Sequence, residues 1–332
     1  NDRENGVVGY ESVMRSRSDE GESALEFNDM FFNWVLANYL QDPSVAEGQY
    51  DYDMVRGLTL RYESEFSDCT SVSVSGDVNQ YGADYYKFSC PGTYTVRFSG
   101  EEQSRLFSQD PYSQSYAYWS NSADRSDTKL TRSFDLTDAV DPYLSYFTWY
   151  DLETNRDFVY VQVSDDGGQT WWFKDVPEGL PADQPNNKYW GLTGASGVWI
   201  EKKVDLSKYS GKNILVRFEY ITDTSIQGEG FLVDDVSLPA IGYSCDFEVD
   251  SCGWESDGFV RTQALVPQIY RLAVLDSQGQ SRVVEIPLVG KNEVSFTFKV
   301  GRFKPAVFVV TAATPFVNNP SNYRFDVDFE NY

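Results

Sequence analysis

The sequence predicts an all-β protein: tandem β-sandwich domains preceded by a single amphipathic helix. Three observations carry this. The chain of 332 residues holds 8 Trp, 23 Tyr and 22 Phe but only 3 Met, a composition that suits pleated, half-buried surfaces better than helical bundles. Runs that alternate apolar and polar residues recur along most of its length, divided by Gly- and Asp-rich turn signals. Only one stretch has helical periodicity, and the length is a prior for two or three domains with ample core.

That stretch comes first. Ser23-Ala-Leu-Glu26 has the form of a capping box, and Phe27, Met30, Phe31, Trp34, Val35 and Tyr39 recur at intervals of three and four. The helix is expected to stop near Gln41-Asp42-Pro43, because the residue before a proline avoids the helical region. Residues 1–22 are polar and read as loosely structured. From Val55 the period changes to two: Leu58, Leu60 and Tyr62 alternate, as do Tyr94, Val96 and Phe98 before Gly100. A larger unit begins near Tyr116. It contains Leu144–Tyr150 and Phe158–Val163, then an Asp165-Asp-Gly-Gly168 hairpin signal, then Val198–Val204, Ile214–Ile221 and Gly230–Leu238. Ile214, Val216, Phe218 and Tyr220 share one face of their strand, with Arg217 and Glu219 on the other. After Gly258 follow Ile269–Leu275, Val283–Ile286, Val294–Phe298 and Ala306–Ala312, and then the regularly alternating Tyr323–Glu330. Four segments result: 1–54 with the helix, a small β unit at 55–115, a sandwich at 116–244 and a second sandwich at 245–332.

Composition narrows the function. There is no histidine, so Ser-His-Asp, Cys-His and HExxH chemistry are excluded together. The formal net charge of −24 argues against nucleic acid and anionic membrane surfaces as partners. From Gly258 onward 8 basic and 6 acidic residues give +2, leaving −26 on everything before. A very acidic body with a mildly basic tail could bind divalent cations or attract a second copy of itself. The plainer reading is solubility. No apolar run approaches the roughly 20 residues that span a bilayer. The chain begins at Asn1 without an initiator methionine and so reads as a processed product or part of something longer. Cys69 with Cys90 and Cys245 with Cys252 form two close pairs, suggesting disulfides worth roughly 2.5–3.5 kcal/mol each. Neither pair has CxxC spacing, so zinc is the weaker alternative, and an oxidising extracellular setting is expected.

The stretch Tyr118–Tyr243 resembles the β-sandwich that follows the catalytic domain in immune inhibitor A-type secreted metallopeptidases, itself similar to MAM-type jelly rolls. The residues that carry the resemblance are Trp119-Ser-Asn121, Leu130–Leu136, Trp149–Glu153 with Asp157, and Val163–Trp171. Gly194–Trp199, Val204–Ser207, Arg217–Asp223 and Gly230–Val236 complete the set. Phe27–Pro43 resembles the last helix of a peptidase domain, and Cys245-Asp-Phe-Glu248 with Cys252-Gly-Trp254 resembles the opening of a MAM domain. The zinc-binding HExxH helix of the family is missing, so its peptidase activity does not carry over to this chain.

The resemblance implies a structural Ca²⁺ held by carboxylates and carbonyls, since this hard cation takes six to eight oxygens and needs no imidazole. Asp235 on the closing strand is the first candidate; Asp234, Glu153, Asp157 and Asp223 could complete one or two sites. Strand alternation places Asp234 and Asp235 on opposite faces. The alternative is that all five are solvated turn or salt-bridge residues. Trp171, Trp172, Trp190 and Trp199 are expected mainly in the core, with stacking on sugars as the alternative. The function expected is a non-catalytic extracellular region serving attachment, binding or stabilisation. Its partners would be proteins, cell surfaces or extracellular matrix. A self-assembling subunit and a glycan-binding module are the other two readings. The first of these rests on the charge split and on a last strand with a free edge near the terminus.

Overall fold

A computed structural model of the protein describes residues 26–52, 57–182, 186–288 and 290–331. Segment 1–22, Ser23 of the expected capping box and Val55 lie outside them. The chain divides into two compact units, one formed by residues 107–264 and the other by the described parts of 26–106 with 265–331.

The first unit is a sandwich of two antiparallel sheets. One sheet runs in the order Trp172–Phe173, Phe158–Ser164, Asn213–Ile221, Asp127–Asp135, Glu255–Asp257. The other runs Ile200–Asp205, Tyr143–Asp151, Gly230–Leu238, Ala117–Trp119, Val260–Thr262, with Tyr243–Cys245 also pairing to Gly230–Leu238. Alternation sorts the side chains as expected. Val159, Val161, Val163, Ile214, Val216, Phe218 and Tyr220 of the first sheet meet Leu144, Tyr146, Val204, Phe231 and Val233 of the second in one buried core. Each full burial of such a side chain is worth about 1.5–3 kcal/mol.

In the second unit, Ser64–Phe66, Gly82–Phe88, Ala306–Ala312, Tyr270–Leu275 and Val283–Ile286 form one sheet, in that order. Val72–Val78, Ser321–Glu330, Gly92–Gly100 and Glu293–Val300 form the sheet facing it. The pairings between these strands are antiparallel except Ser64–Phe66 with Gly82–Phe88, which is parallel. Leu272, Val274, Phe308 and Val310 face the second sheet, whereas Ala273, Leu275, Val307 and Val309 pack under the helix Phe27–Leu40. Every residue of Ala306–Ala312 is buried, because a sheet covered on both faces has no wet side to alternate with.

Four expectations are corrected here. The segments 55–115 and 245–332 are not separate domains: Gly92–Gly100 is bonded to Glu293–Val300 on one side and Ser321–Glu330 on the other. Period two reveals which face a strand buries but not which strand lies beside it, so the partnership across some 200 residues was not legible. Residues 245–264 belong to the sandwich, since Tyr243–Cys245 pairs with Gly230–Leu238 and Trp254 and Phe259 are in its core. The last strand has no free edge; it lies between Val72–Val78 and Gly92–Gly100. The helix buries Phe31, Phe32, Val35, Leu36, Ala37 and Leu40 and leaves Trp34 half exposed, so its inward face is rotated from the one expected. It ends as expected, with Gln41 in the left-handed region at φ 42° closing it on Ala37. Both disulfides are formed, Cys69–Cys90 and Cys245–Cys252.

Candidate functional site

Three of the five candidate carboxylates come together at one end of the first unit. Asp157 immediately precedes the strand Phe158–Ser164 and Asp223 lies two residues past Asn213–Ile221. Because Ile221 is paired with Phe158, these two aspartates meet across the strand ends. Glu153 lies in the turn after Tyr143–Asp151, where its carbonyl accepts from the Asp157 amide at 3.1 Å and from Thr193 Oγ1 at 3.1 Å. One carboxylate oxygen from each of Glu153, Asp157 and Asp223 lies within 4.8 Å of the others. Two oxygens on opposite sides of a Ca²⁺ ion stand about 4.8 Å apart, so the spacing fits such an ion.

The electrostatics of this cluster are unbalanced. Asp157 is buried, accepting from the Asp223 amide at 2.9 Å and from the Tyr220 hydroxyl at 3.5 Å. Burial pushes its pKa up to about 6, and the charges of Asp223 and Glu153 push in the same direction. The Glu153 Oε2 atom is buried without a hydrogen-bond donor, an arrangement that costs about 1–3 kcal/mol or more for a charged group. A divalent cation would relieve the orphaned oxygen and the mutual repulsion together, so the residues present fit Ca²⁺.

Asp234 and Asp235 lie apart from this group. The pairing register shifts between Asp234 and Ser237, and Asp235 has φ 45°, a conformation uncommon outside glycine. This bulge undoes the alternation on which opposite faces were predicted. Both side chains instead engage Ser113: its amide donates to Asp234 at 3.1 Å and its hydroxyl to Asp235 at 2.8 Å. Asp234 is fully buried, and desolvation lifts its pKa to about 7 against the hydrogen bonds from Ser113 and Asp235 that lower it. Nearby, Glu248 accepts from the amides of Ser115 and Tyr116 at 2.9 and 2.7 Å. These contacts hold residues 113–116 in place, and they escaped the sequence because no periodicity marks them.

None of Trp171, Trp172, Trp190 and Trp199 is buried, and Trp172 is 60% exposed, which reverses the expectation that they fill the core. Trp172 sits on a two-residue edge strand, and Trp190 and Trp199 fall outside the strands altogether.

A two-sheet sandwich with a carboxylate cluster at its strand ends and no imidazole is the class of module that fold and site define. A family model described as the immune inhibitor A-like MAM domain matches residues 95–264, just over half the chain, and the chain belongs to that family. It is 33% identical to immune inhibitor A of Bacillus thuringiensis subsp. alesti over 147 residues, 43% of this chain and 20% of that protein. It is 33% identical over 96 residues to bacillopeptidase F of Bacillus subtilis strain 168, covering 29% of this chain and 6% of that one. The pre-pro-metalloprotease PrtV of Vibrio cholerae is 25% identical over 136 residues, 40% of this chain and 14% of its own. The chain thus aligns with a fifth or less of each relative's length, and the family model covers the MAM-like region.

Proposed function

We propose that the chain is a non-catalytic, extracellular accessory region of a metallopeptidase-like protein, serving attachment and stabilisation through a Ca²⁺-supported sandwich. The observation that carries this reading is the family match over 95–264 in a chain without histidine. Ca²⁺, held by Glu153, Asp157 and Asp223, would supply positive charge that pins two strand ends and the turn after Tyr143–Asp151. The disulfides Cys69–Cys90 and Cys245–Cys252 support an oxidising location. Among the described residues no helix is long and apolar enough to cross a membrane. The test is co-sedimentation of the purified chain with cell-envelope and extracellular-matrix preparations, with casein in the same sample. Retention on at least one preparation without casein cleavage is expected. Cleavage by the pure chain, or no retention on any preparation, would overturn the reading.

A further inference from the structure

The outer face of the first unit's five-stranded sheet carries a groove of about 400 Å³ that neither the carboxylate cluster nor the disulfides use. Its floor is fixed by register. Arg217 is paired with Thr131, and Thr131 with Glu255. One pleat along, Glu219 is paired with Lys129 and Lys129 with Asp257. These residues point away from the core side chains of the same strands, so two rows of polar groups cross three neighbouring strands. The hairpin at Gly167 and Gly168 and the indole of Trp171 close one side.

The commitments of the charged groups differ. Lys129 is engaged by Asp127 at 2.8 Å and Glu219 at 3.8 Å, and Glu219 also accepts from Gln162. Among the described residues Arg217 forms no ion pair with a carboxylate, although the charges of Glu219, Asp127 and Asp257 act on it. Its guanidinium carbon lies over the Trp171 ring, 3.6 Å from the centroid, and its Nε donates to Thr131 at 3.3 Å. Stacking fixes the guanidinium plane and leaves its terminal N–H groups as donors at the edge. Glu255 and Asp257 stand across Thr131 and Lys129, about 10 Å from the Arg217 strand; among the described residues neither carboxylate has a side-chain hydrogen bond or ion pair, and Asp257 acts on Arg217 only through its charge. The groove therefore offers oriented donors on one side and free acceptors on the other.

Charge selects the occupant. An anion in the groove would meet Glu255 and Asp257 opposite Arg217, and a cation would meet Arg217. A hydroxyl both donates and accepts, so an uncharged polyol can satisfy both sides at once. We infer that this groove binds a neutral oligosaccharide, with Arg217 and Thr131 on one side of the sugar and Glu255 and Asp257 on the other. The inference deepens the attachment role proposed above and rests on it.

The experiment uses the full chain on a printed array of neutral, sialylated and sulfated glycans. Calorimetry with the strongest neutral oligosaccharide follows, for wild type, Glu255→Gln and Arg217→Lys. Glu255 is exposed on an edge strand, so its amide variant leaves the fold intact even if Arg217→Lys does not. Binding confined to neutral glycans and weakened at least tenfold by Glu255→Gln is expected. Silence across the array, preference for charged glycans, or equal affinity of Glu255→Gln and wild type would overturn the assignment. Retention on envelope and matrix preparations separates the two levels. Equal retention of wild type and variant leaves the attachment role standing and removes the groove, whereas no retention of wild type removes both.

Discussion

At the scale of residues, what the structure adds is which carboxylates share a place. Glu153, Asp157 and Asp223 were singled out by resemblance, and strand pairing between Phe158 and Ile221 brings them together. Asp235, the first candidate, lies away from them, well inside Gly230–Leu238, and its φ of 45° at the register shift breaks the alternation by which its face is read from sequence. Replacing Asp157 by Asn removes one charge from the cluster. In EDTA it is expected to leave the melting temperature unchanged or higher, while in Ca²⁺ it should forfeit the stabilisation that the wild type gains. A second, half-buried acid gives a pH prediction clear of that cluster. Asp84 accepts from the Tyr323 hydroxyl, which also lies 2.6 Å from that of Tyr86, and burial raises the Asp84 pKa from 3.8 to about 6. A raised acid binds its proton more tightly folded than unfolded, so its contribution to stability declines as pH rises from about 4 to about 6. Asp84→Asn should flatten that decline and stabilise the protein above pH 6 by about 1–2 kcal/mol, a figure discounted for the carboxyl's partial exposure. Urea unfolding of both proteins at pH 4 and pH 7 reads the difference, and parallel pH profiles would contradict it.

At the scale of elements, strands were legible wherever one face is wet and one dry. Asn213–Ile221 and Ser321–Glu330 show their alternation directly in the sequence. Ala306–Ala312 does not alternate, because the helix Phe27–Leu40 covers the face its sheet would otherwise show to solvent. The same helix was read with Trp34 inward, since aromatic spacing identifies an apolar stripe but not which edge of a wide stripe is pressed hardest. Its role in the second unit is packing: Phe32, Val35 and Leu36 are fully buried against Leu275, Val307 and Val309. Leu36→Ala is therefore expected to cost about 2–5 kcal/mol, whereas Trp34→Ala, at a half-exposed position, should cost less than about 1 kcal/mol. Comparable losses for the two substitutions in chemical denaturation would show that the helix is not seated as described.

At the scale of the whole molecule, the fold class followed from composition and period, but the division into units did not. The first unit is continuous over residues 107–264, whereas the second needs strands from both 64–105 and 265–330. Local patterns cannot announce a sheet whose central strand, Gly92–Gly100, waits for partners some 200 residues away. A chain ending at residue 264 should keep the first unit protected from limited proteolysis and lose the second, and protection of residues 64–105 in that truncation would contradict the shared sheets. The most direct test of a cation-stabilised sandwich is calorimetric unfolding of the full chain in Ca²⁺ and in EDTA. A ligand at a hundred times its dissociation constant contributes about 2.7 kcal/mol, which for a unit of this size is about 5–10 °C. Ca²⁺ should raise the transition belonging to residues 107–264 by that amount, leave the other in place, and have no effect on either in Asp157→Asn. Identical melting of the wild type in Ca²⁺ and EDTA would contradict it.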